Sequence, residues 1–121
     1  MDLTGVMSAF EDSGYDLEIQ PSIGNIYRPD FLLVSPDKQR VLVVEVKDNV
    51  FTSDVASIDA LVDSIESWWE GSGVKPVSEG MIIYSSHAPG SVQEMAAEQG
   101  IRIARGVKEA REQLSVWWKH Y

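Results

Sequence analysis

Two apolar runs separated by six polar residues constrain this chain more than any other feature. Phe31-Leu32-Leu33-Val34 and Val41-Leu42-Val43-Val44 flank Ser35-Pro36-Asp37-Lys38-Gln39-Arg40, and turn formers between two short β-favouring runs predict an antiparallel hairpin. A turn centred between Asp37 and Lys38 pairs Phe31 with Val44 and, one step outward, sets Asp30 opposite Glu45. Facing residues of this kind have Cβ atoms about 4.5–5.5 Å apart. Glu45 and Lys47 are two apart on one strand, so the period of two puts both on the face that carries Asp30. Three titratable groups converge.

Like charges facing each other across a sheet are destabilising unless something binds between them. Oxygen ligands suit a hard divalent cation, Mg²⁺ or Mn²⁺. In that arrangement Asp30 and Glu45 hold the metal, a metal-activated water attacks a phosphate, and Lys47 orients the water or stabilises the transition state. Taken singly, a Pro-Asp pair at a strand start and a Glu-Val-Lys segment in a half-exposed strand are ordinary. Their mutual spacing and facing, inside so apolar a hairpin, favour a site.

The Pro29-Asp30, gap, Glu45-Val46-Lys47 arrangement resembles the PD-(D/E)xK nuclease superfamily, which includes restriction endonucleases, Holliday-junction resolvases and bacterial toxins. The resemblance implies the restriction endonuclease-like α/β fold, a mixed sheet flanked by helices in the order αβββαβαβα, over residues 1–121 as one domain. It implies catalytic roles for Asp30, Glu45 and Lys47, and a further metal ligand in the backbone carbonyl of Val46. The downstream segments Gly80–Ser86, Gly90–Gly100 and Ile101–Ile103 look most like the strand, helix, strand tail of Mrr-type enzymes. One departure stands out. Many members carry a first-helix Glu that completes the metal site, and here that helix offers only Asp2 or Glu11. The expectation is a metal-dependent endonuclease hydrolysing phosphodiester bonds, with DNA ahead of RNA as the nucleic acid. Two alternatives stand beside it: a non-catalytic binding or accessory module that keeps the nuclease fold and meets a protein through its acidic face, and an RNase or tRNA-cleaving toxin domain.

With 121 residues, 44% of them hydrophobic, the chain is sized for one compact domain with a real core. The absence of cysteine excludes disulfides, thiolate zinc sites and cysteine nucleophiles. No apolar run approaches the ~18 residues of a membrane span, and the N-terminus lacks the layout of a signal peptide. A soluble, cytoplasmic protein is expected. The net charge of −9 opposes phosphate binding, which ordinarily uses a basic surface. That charge is uneven: residues 1–70 hold 14 acidic against 4 basic side chains, a net of −10, and residues 71–121 hold 5 against 6, a net of +1. Candidate phosphate contacts are Arg28, Arg102 and the trio Arg105, Lys108 and Arg111, which could form a stripe at helical spacing. The same trio laced with Glu109 and Glu112 also suits an ordinary solvated helix face.

Along the chain, Leu3, Val6, Met7 and Phe10 predict an amphipathic helix closed by Gly14. Tyr15–Ile19 alternates as a strand closed by Pro21, and Ser22–Arg28 is a loop. Ser53 or Asp54 can cap a second helix with Val55, Ile58, Val62, Ile65 and Trp69 on one stripe. Met81–Tyr84 is a covered strand, Ser91-Val92-Gln93-Glu94 a capping box, Gly100 a helix stop and Ile101–Ala104 a final strand before a last helix. The strand, helix, strand order of that tail predicts a parallel crossover, so the sheet is mixed. It also puts His87 at a strand's carboxyl end, where it could touch a phosphate, and Ser91 at a helix N-terminus, where it could help hold an anion. The pairs Trp68-Trp69 and Trp117-Trp118 cannot each bury both members easily, because adjacent helical residues point about 100° apart. Their surplus indole surface suggests a homodimer interface.

Overall fold

The computed structural model describes residues 3–11, 16–19, 29–36, 39–69 and 77–119. Among the described residues, nine elements run in the order α1 (Leu3–Glu11), β1 (Asp16–Ile19), β2 (Phe31–Val34), β3 (Arg40–Asn49), α2 (Thr52–Trp69), β4 (Val77–His87), α3 (Gly90–Gln99), β5 (Ile101–Arg105) and α4 (Gly106–Lys119). This is the expected α/β order. The five strands lie side by side in sequence order. β1, β2 and β3 are antiparallel, and β3, β4 and β5 are parallel, joined by α2 and α3.

The hairpin has the expected register, with Phe31 opposite Val44 and Val34 opposite Val41. Its mouth is tied by two bonds at Ser35, whose N–H donates to the Arg40 carbonyl at 3.0 Å while its Oγ accepts the Arg40 N–H at 3.0 Å. The period of two then divides the apolar residues between two cores. On the near face Leu32, Val34, Val41, Val43 and Ile82 pack under α2 and α3. On the far face Phe31, Leu33, Leu42, Val44, Met81 and Ile83 pack against α1 and α4. Phe10 of α1 meets Phe31 edge-on at 5.8 Å between ring centroids, which anchors the strand that begins just after Asp30. Gly80 lets α2 settle on the near face, since a Cβ there would lie 3.1 Å from Cγ1 of Ile58 and 3.0 Å from Cδ1 of Ile101.

Four sequence expectations need correction. β3 and β4 run well beyond Val41–Lys47 and Met81–Tyr84, because parallel neighbours extend each other's ladders past the apolar run. α2 starts from Phe51, not Ser53 or Asp54, for Phe51 O accepts the Asp54 N–H at 3.0 Å. Ser91 caps nothing: Pro89 is the N-cap of α3, without a side-chain bond, and its carbonyl takes the N–H groups of Val92 and Gln93 at 3.0 Å. The stripe Arg105, Lys108, Arg111 does not form, because Arg105 ends β5 and the other two belong to α4. Gly100 ends α3 as expected, in the left-handed conformation at φ 71°. Arg28, Asp2, Gly14 and the Ser22–Arg28 loop lie outside the described residues, as do the side chains of Trp68, Trp69, Trp117 and Trp118. Among the described residues no helix is long and apolar enough to cross a membrane.

Candidate functional site

β3 outruns its antiparallel partner. β2 begins at Phe31, opposite Val44, so Glu45, Val46 and Lys47 continue past it with Asp30 at its mouth. Asp30 accepts the Val46 N–H through Oδ2 at 2.7 Å, which pins the carboxylate against the exposed edge of β3. A strand residue turns its N–H and C=O toward the same neighbour, so the Val46 carbonyl lies on Asp30's side as well. The Val46 side chain points the other way, into the far-face core.

Glu45 and Lys47 share the near face with α2. A cleft of about 110 Å³ opens there, lined by Glu45, Lys47, Asp54, Ser57, Ile58 and Leu61. Glu45 lies close enough to the Asp30 carboxylate to feel its charge. Burial, and then the Asp30 charge, push the Glu45 carboxyl up from 4.5 to about 7, against the pull of Lys47. Glu45 thus holds its proton up to about neutrality, the expected response of a carboxyl removed from water beside a like charge.

Asp54 completes the cleft. Its Oδ2 accepts the Phe51 N–H at 2.8 Å, the reciprocal arm of a helix cap, while Oδ1 stands 4.0 Å from Lys47 Nζ. The sequence marks Asp54 only as a capping residue. Its approach to Lys47 follows from the two-residue turn Val50-Phe51 between β3 and α2, and the readable signal is an acid in the first turn of a helix that directly follows the lysine strand.

The other candidates lie elsewhere. His87 is exposed at the end of β4, and its carbonyl accepts the Val50 N–H at 2.9 Å. Ser91 is exposed on the first turn of α3, and Arg105 is exposed at the end of β5. Lys108 and Arg111 are exposed on α4, whose Ala110 and Leu114 belong to the far-face core. Arg102 bonds to Glu79 at 3.1 Å. Glu11 ends α1 on the far-face layer and does not line the cleft.

Among the described residues, no three His, Asp or Glu side chains form a metal-holding group. The donors present are two facing carboxylates and a neighbouring carbonyl. That set fits Mg²⁺ or a similar hard cation, which retains several waters and takes one or two carboxylates rather than an all-protein cage.

No family model matches the chain, and no curated protein matches it. Among solved structures it is similar to SfsA of Pyrococcus furiosus in complex with Ca²⁺, with 13% identity and a TM-score of 0.48. The match covers 83% of this chain and 52% of that one, so the chain spans about half that protein's length. A likeness at this level says nothing of what either chain does.

Proposed function

We propose that this protein is a metal-dependent nuclease of PD-(D/E)xK type, hydrolysing phosphodiester bonds in DNA. The observation that carries the proposal is the facing Asp30–Glu45 pair, with Asp30 fixed on the Val46 N–H, on the same face as Lys47 and beside an open cleft. Asp30, Glu45 and the Val46 carbonyl would hold Mg²⁺ or Mn²⁺. Such an ion, when bound, lowers the pKa of an attached water and neutralises charge on the phosphate.

The chain's own residues have distinct tasks. The Val46 N–H holds Asp30 in place and leaves its second oxygen for the ion. Glu45 would hold the ion as a carboxylate, its proton having passed to solvent water. Lys47 would donate an Nζ–H hydrogen bond to a phosphate oxygen, where charge grows during attack. Asp54, whose Oδ1 stands 4.0 Å from Lys47 Nζ, restrains the swing of the ammonium.

Cleavage of supercoiled plasmid, linear duplex, single strands, a four-way junction and tRNA at low salt, with Mn²⁺ or Mg²⁺, tests the proposal. Wild-type cleavage that Glu45→Ala and Lys47→Ala abolish supports it, and tRNA as the sole substrate would move it to an RNase. The net charge of −9 favours a second reading, a binding module that meets a protein partner through its acidic face. Silence across the panel, with a melting temperature that Mn²⁺ leaves unchanged, would select that module.

A further inference from the structure

The near face continues past Lys47 across two more strands. In the parallel ladders Lys47 pairs with Tyr84, and Tyr84 pairs with Arg105. Partners on adjacent strands point to the same face, and Tyr84 packs against the near-face core. Lys47, Tyr84 and Arg105 therefore form a row along the carboxyl edge of the sheet, about 10 Å long at two strand spacings.

The row has the composition of a strand-binding surface. Tyr84 is half-buried, so its ring is braced from below, and Arg105 is exposed. Arg105 has no ion-pair partner among the described residues, whereas Arg102 points to the opposite face and is held by Glu79. Phe51, just before α2, is 63% exposed, with its N–H fixed by Asp54. Two cations separated by an aromatic ring suit a backbone with one base stacked between its phosphate contacts. With a net charge of −9, long-range attraction for phosphates is weak, so affinity must come from stacking. Stacking acts on bases that are not paired.

We infer that Lys47, Tyr84 and Arg105 form a binding track for an unpaired nucleic-acid strand, with Arg105 on a phosphate, a base on Tyr84 and Lys47 leading the strand into the cleft. This rests on the nuclease reading for the cleft and narrows the substrate to single strands or frayed and branched ends. Fluorescence anisotropy of a short labelled oligothymidylate and of a duplex of equal length, in metal-free buffer, tests it. The wild type is expected to prefer the single strand. Tyr84→Leu should weaken that binding about fivefold or more while Tyr84→Phe preserves it. Arg105→Gln, at an exposed position, should weaken binding and lower the salt slope by about 0.7.

A preference for duplex, no binding by the wild type, or unchanged binding in both Tyr84→Leu and Arg105→Gln would overturn the track. Metal-dependent cleavage by the wild type, measured separately, keeps the two proposals apart. Cleavage with unaltered binding in both variants removes the track alone, and binding as expected without cleavage removes the nuclease alone.

Discussion

Glu45 keeps to about pH 7 a proton that its ordinary value would release near pH 4.5, because burial and the Asp30 charge disfavour the carboxylate. The folded state therefore binds more protons than the unfolded chain between those values, and stability falls as pH rises through that window. Melting of the metal-free protein from pH 5 to pH 8 should show this decline, and Glu45→Gln should flatten it. Asp30→Asn retains an acceptor for the Val46 N–H and removes the repulsion. Its melting temperature at pH 8 should match or exceed that of the wild type while cleavage is lost, the pattern of a site that costs stability. Lys47→Met should lower the cleavage rate on the order of a hundredfold to a thousandfold with little change in melting. The facing of Asp30 and Glu45 is readable from sequence because it depends only on turn length and the strand period. The Asp54–Lys47 approach is only hinted at by an acid in the first helical turn after the lysine strand, since the distance itself depends on the angle at which α2 leaves the sheet.

At the scale of elements, α2 is held over the cleft from two directions. Asp54 ties its first turn to Phe51, and Gly80 lets Ile58 approach the sheet. Asp54→Ala should cost about 1 kcal/mol through the lost cap, whereas Asp54→Asn keeps an acceptor and should cost less; chemical denaturation of both separates capping from chemistry. Gly80→Ala sets a methyl against Ile58 and Ile101 and should destabilise by about 1–3 kcal/mol through overpacking, measurable by the same method. The order of elements is legible because each carries its own period and its own stop, Gly100 being the clearest. The start of α3 is not, because Pro89 supplies a preset φ of −57° and the Pro89 carbonyl replaces the side-chain cap that Ser91 advertises. The basic trio fails for a related reason. Helical spacing is meaningful only within one helix, and a strand end intervenes at Arg105.

For the whole molecule, 14 acids against 4 bases in residues 1–70 load the first half with repulsion that salt screens. Both cores draw on both halves of the chain, but unequally. The near-face core takes its buried residues from Leu32 to Ile101, the far-face core from Val6 to Leu114. On a ribosome the near-face core can assemble as soon as β5 has emerged. The far-face core must wait for α4, leaving α1 and one side of the sheet uncovered until residues 106–119 have followed. A nascent chain stalled before Gly106 should therefore present a bare apolar sheet beneath an already formed cleft, a species that chaperones would recognise before any substrate does.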